Sequence, residues 1–121
     1  MLEWKPISLS QLYEQIRKTE THLNGTHQEF WKLIKIDPVK WQEKEYGDEG
    51  GGFWVVAIYG AHVIWYNDIE EGFNVSKFNT LGEITEYHCN QDELNVAVIR
   101  LFDLIQFGCD IIGQAGPPQN V

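Results

Sequence analysis

The chain has 121 residues, with 18 acidic side chains against nine basic ones and a net charge of −9. That length suits one domain, and the five Trp, five Tyr and six Phe suit a packed core, not a disordered chain. Residues 47–121 hold only Lys77 and Arg100 as basic groups and so carry the whole deficit, which repels nucleic-acid backbones and anionic membranes.

No basic segment leads into an apolar run at the N-terminus, and no stretch approaches the ~20 apolar residues of a membrane helix. With neither cysteine in a CxxC pair, a reduced, cytoplasmic setting is expected.

Ser8 with Gln11 forms a capping-box pattern and opens an expected helix over residues 9–23, with Leu12, Ile16 and Leu23 on one side. Asn24-Gly25 stops it. Thr26 with Glu29 repeats the pattern and predicts a short second helix over 27–35, ended before Pro38. The short connection predicts a helical hairpin. From Val39 to Tyr46 the pattern predicts an edge strand, and residues 47–52 a glycine-rich loop. Strands are expected over 53–59, 61–66, 73–79 and 83–89, joined by short turns, which favours an antiparallel meander. Phe53, Val55 and Ala57 alternate with Trp54, Val56 and Ile58, so both faces of the central strands are apolar and need cover, which the helices are expected to supply.

Asn90 with Glu93 marks a third capping box. It predicts a long helix over 91–107, apolar nearly all round and ended by Gly108. The resulting expectation is an α+β fold: a four- to five-stranded meander, an N-terminal helical hairpin and a long C-terminal helix on the sheet. One domain spans 1–112, and 113–121 reads as a flexible tail. Cys89 before the long helix and Cys109 after it are too far apart to bond, since a helix of about 17 residues spans roughly 25 Å.

In a meander, alternate loops share one end. The 47–52 and 67–72 loops and the start of the last helix therefore predict an acidic rim of Asp48, Glu49, Asp68, Glu70, Glu71, Asp92 and Glu93, with the uncharged turns at Gly60 and Thr80-Leu81-Gly82 opposite. The block from Trp65 to Asn74 mixes aromatic, acidic and amide groups most densely. It reads as a hairpin with core aromatics at its base, or as a recognition surface. In the second reading Trp65 and Tyr66 are anchors, and exposed Asp68, Glu70, Glu71, Asp48 and Glu49 are steering charges for a basic protein.

No GxSxG, HExxH or phosphate-loop pattern occurs, and Asp68–Gly72 departs from a calcium-binding EF-hand loop, whose terminal Glu falls on Asn79. No catalytic residue, metal ligand or cofactor is assigned. The leading expectation is a small protein-binding domain, of the immunity or antitoxin type that neutralises a basic protein. The alternatives are a hydrolase or metal-dependent enzyme using the acidic rim, and a structural or regulatory homodimer using the apolar last helix.

Overall fold

The computed structural model describes residues 5–108, apart from the Glu49 side chain. Cys109 and the tail expected at 113–121 lie outside the described residues. The order is α1 (Leu9–Glu20), α2 (Gly25–Ile34), β1 (Lys35–Trp41), β2 (Phe53–Tyr59), β3 (His62–Asn67), β4 (Gly72–Lys77) and α3 (Leu94–Phe107). A short 3₁₀ turn over Asp48–Gly50 lies between β1 and β2. The four strands form one antiparallel meander in chain order, giving an α+β fold with two N-terminal helices and a C-terminal helix packed on the sheet.

Local signals set several boundaries. Ser8 and Gln11 make the expected capping box, each side chain bonding the other's backbone N–H. Gly108, in the left-handed conformation, ends α3. Elsewhere the boundaries differ for stated reasons. α1 stops at Glu20, because the Thr21 hydroxyl donates to the Lys18 carbonyl and competes with the helical ladder. α2 begins at Gly25, so Thr26 lies inside it and caps nothing. β1 begins before Pro38, not after it. The proline is tolerated because β1 is an edge strand whose register with β2 slips between Lys35 and Val39.

The expected alternation of β2 is broken at its centre. Val55 pairs with Trp65 while Ala57 pairs with Ile64, so β2 carries one extra residue. Val56 and Ala57 consequently both enter the core under the helices, whereas Phe53 and Val55 lie in the core on the opposite face. The helical face gathers Leu12, Ile16, Trp31, Ile34, Ile64, Phe73, Leu94, Val98 and Leu101. α1 and α2 each pack on α3, and the Trp31 indole donates to the Glu20 carboxylate at 2.8 Å to link α1 with α2.

The second face is covered by the chain between β4 and α3, not by a helix, and the expected fifth strand over 83–89 does not form. The chain leaves β4 at Phe78, whose N–H donates to the Ala61 carbonyl. It then crosses toward β1, where Gln42 N–H donates to Gly82 O and Ile84 N–H to Gln42 O. Ile84 and Tyr87 pack there against Trp41, Phe53, Val55, Val63 and Trp65. The turn expected at Thr80–Gly82 forms, with Glu83 N–H donating to Thr80 O, but it leads the chain toward β1 and joins no fifth strand to β4.

Three buried polar side chains on the same sheet face hold this crossing segment. Asn67 donates to the His88 carbonyl (2.9 Å), and Ser76 donates to the Glu86 carbonyl (2.7 Å) while accepting from the Trp65 indole. Asn74 accepts from Asn90 N–H (2.9 Å) and donates to the Gly72 and Asn90 carbonyls. Asn90 is thus committed to the sheet, and Phe73 N–H bonds the Asp92 carbonyl. The chain stays extended to Glu93, and the capping box expected at Asn90 is absent.

Replacing Asn74, itself buried, with Ala removes the acceptor of the Asn90 N–H and the donor to the Gly72 and Asn90 carbonyls. The expected loss is about 1–2 kcal/mol, set by the lost hydrogen bonds of a buried amide. Urea denaturation of wild type and variant measures it, and a loss below about 0.5 kcal/mol refutes the clamp.

Candidate acidic and aromatic site

The meander puts the 47–52 and 67–72 loops at one end, because Trp41 pairs with Phe53 and Asn67 with Gly72 while Tyr59 and His62 meet at the other end. The approach to α3 joins the first two, since Phe73 bridges Asp92. The expected meeting of three acidic segments is present, and the residues within it are not equivalent.

Asp68 is half-buried and accepts the Ile7 N–H at 2.8 Å, tying the N-terminal segment to the sheet. Asp92 faces Arg100 at 3.4 Å. Glu70 is half-buried, its N–H and that of Ile69 held by the Asn67 side chain. Of the three acids expected in the open within 67–72, only Glu71 is fully exposed, in a left-handed conformation with φ of 60°. Asp48 and Glu93 are exposed as well. The Glu49 side chain lies outside the described residues.

The two aromatics of the block point to opposite faces and are both interior. Trp65 has no exposed surface and donates to Ser76, and Tyr66 is 5% exposed, with its hydroxyl accepting from the Gln15 side chain. Burial raises the Tyr66 phenol above its usual range, only partly opposed by that hydrogen bond, and Glu71 and Asp68 add to the rise. Neither ring offers a face to a partner, so the block is the hairpin with core aromatics.

The exposed aromatic at this end is one that motif reading missed. Tyr46 is 49% exposed, and its ring lies 4.3 Å from that of Tyr87 at 37°. Tyr87 in turn contacts Phe53 and Trp65, so one edge of the pair is rooted in the core. Tyr46 sits in a turn fixed by Glu43. This carboxylate, 4% exposed, accepts from Tyr46 N–H (2.6 Å) and Gly47 N–H (2.9 Å). Burial raises the Tyr87 phenol above its usual range, against a lowering hydrogen bond with Asn67, and Glu70, Cys89 and Glu43 add to the rise. The two tyrosines are far apart in sequence and share no motif; the only local signal was an aromatic ring at the end of a polar run.

A groove of about 210 Å³ runs between Gln42–Glu45 and Glu83–Thr85, the segments that lead into Tyr46 and Tyr87. Another of about 180 Å³ is lined by Glu20, Leu23, Gln28, Trp31, Lys32 and Lys35. There burial alone would raise Glu20, but bonds from Trp31 and Lys35 hold its carboxyl below the usual range. Its charge is thereby occupied within the fold. His62 stands at the other end of the sheet, lowered by burial and by Lys77. Among the described residues no three His, Cys, Asp or Glu side chains converge as a metal-ion ligand set. No described helix is long and apolar enough to cross a membrane. On α3, Ile105 and Phe107 remain exposed.

No family model matches this chain, and no curated protein or solved structure matches it significantly.

Proposed function

We propose that this domain binds a basic protein through its acidic end, in the manner of a small immunity or antitoxin-type neutraliser. The observation that carries the reading is the meeting of three acidic segments, distant in sequence, at one end of the sheet. Exposed charge of one sign, concentrated on one end of a small domain, draws an oppositely charged partner and accelerates its encounter. Asp68 and Asp92 serve the fold, through Ile7 and Arg100, which leaves Asp48, Glu70, Glu71 and Glu93 as the steering charges.

The test replaces Asp48, Glu70 and Glu71 with Asn, Gln and Gln, keeping the shape and removing three charges. Asp68 is left in place because it is bonded to Ile7. Stability is expected to hold within about 0.5 kcal/mol per site. Association with a partner captured at low salt from the source cell's extract is expected to slow roughly tenfold, with a flatter dependence on salt. An unchanged rate and salt slope refutes the acidic end as the interface.

A further inference from the structure

The Tyr46–Tyr87 pair is built as a rigid platform, yet it leaves aromatic surface in water. Glu43 is buried to hold the Tyr46 turn, and Asn67 holds the chain beside Tyr87 through the His88 carbonyl. A ring with few rotamers, already fixed on the surface, loses little entropy when a partner covers it. Such rings are the common anchors of protein interfaces.

The two walls of the groove, the segments that lead into Tyr46 and Tyr87, are pinned together by the backbone bonds of Gln42 with Gly82 and Ile84. At about 210 Å³ it is smaller than the roughly 300–1,000 Å³ of pockets that enclose drug-sized ligands, so it suits one long side chain. Its open carboxylates are Glu45 and Glu83, with Lys44 the one opposing charge in its lining. An extended aliphatic stem ending in a planar cation matches this lining. A guanidinium stacks on an aromatic face and takes a carboxylate in two parallel bonds, whereas an ammonium is a strongly hydrated point charge.

We infer that the Tyr46–Tyr87 pair and the groove between Gln42–Glu45 and Glu83–Thr85 form a docking surface for an arginine side chain on an extended basic segment of a protein partner. This rests on the proposed binding of a basic protein and names the contact that follows electrostatic encounter.

The probe is an acetylated, amidated peptide of alternating Arg and Gly, titrated at low salt, with the Lys-Gly peptide of equal length and charge beside it. The Arg peptide is expected to bind at least about threefold more tightly than the Lys peptide, and Tyr46→Ser to weaken it about tenfold. Tyr46→Phe keeps the ring and is expected to bind as wild type does. Denaturation midpoints confirm that each variant folds. Equal binding by wild type and Tyr46→Ser, no preference for Arg, or no binding of either peptide overturns the inference. The two readings fail differently: if neutralising Asp48, Glu70 and Glu71 slows association while Tyr46→Ser changes nothing, the acidic end stands and the arginine platform falls.

Discussion

Replacing Trp65 with Ala is expected to destabilise the domain by about 3–5 kcal/mol, the range for removing a large aromatic from a packed core. Trp65 is wholly buried at the centre of the second core, between Phe53 and Tyr87. Its indole donates to Ser76, which itself holds the Glu86 carbonyl. Removal therefore leaves a cavity and takes away the indole donor to the Ser76 hydroxyl, the group that holds the crossing segment. Trp65→Phe keeps most of the packing and loses only the indole bond, so it is expected to cost less than half as much. Guanidinium denaturation of the three proteins measures the series. A loss below about 1 kcal/mol for Trp65→Ala contradicts its central place in that core. The variant is consequently a poor probe of partner binding, because its effect on folding comes first.

Gly72→Ala is expected to cost more than about 3 kcal/mol, an exceptional loss for one added methyl group. A Cβ at Gly72 runs into the Asn90 carbonyl oxygen and the Gln91 Cα, both backbone atoms. No side-chain rotation relieves that contact. The chain over 90–92 must lift from β4, which breaks the bond from Phe73 N–H to Asp92 O and strains those of Asn74. Gly60→Ala is the comparison: its φ is +59°, with nothing within 4 Å of a Cβ. Its cost is the left-handed conformation alone, about 1–2 kcal/mol. Equilibrium denaturation ranks the pair, and amide exchange at Phe73 and Asn90 locates the damage. Equal losses for the two variants, or full protection at Phe73 in Gly72→Ala, contradict the close crossing.

The places where sequence and structure agree are those where the deciding interaction is local. Ser8 and Gln11 are three residues apart and cap one helix end between themselves. Gly108 ends α3 through its own backbone conformation. β2 was bounded correctly by Gly52 and Gly60, and the short β2–β3 and β3–β4 turns dictated neighbouring antiparallel strands. The meander then dictated which loops share an end, so the acidic end was legible without any tertiary contact.

The remainder depended on partners distant in the chain. Residues 83–89 carry a strand-like pattern, but Asn67 and Ser76 hold their backbone across the sheet face, not along its edge, and Asn74 holds Asn90 just beyond them. A side chain that substitutes for a strand leaves no periodicity in the segment it holds. The same contacts turned Asn90 from an expected cap into a cross-link. The extra residue in β2 moved Ala57 to the helical face, and only the register with β3 reveals it.

Within the candidate site, sequence alone determined the sign and position of the charge, because loop order in a meander follows from chain order. Which aromatic rings reach the surface was decided by the tertiary structure. Trp65 and Tyr66, beside the acids in sequence, fill the two cores, while Tyr46 and Tyr87 meet at the edge of one. The physical reason is burial: an aromatic ring goes where the packed faces have room for it, and that room is set by the Val56 bulge and by the segment crossing the second face.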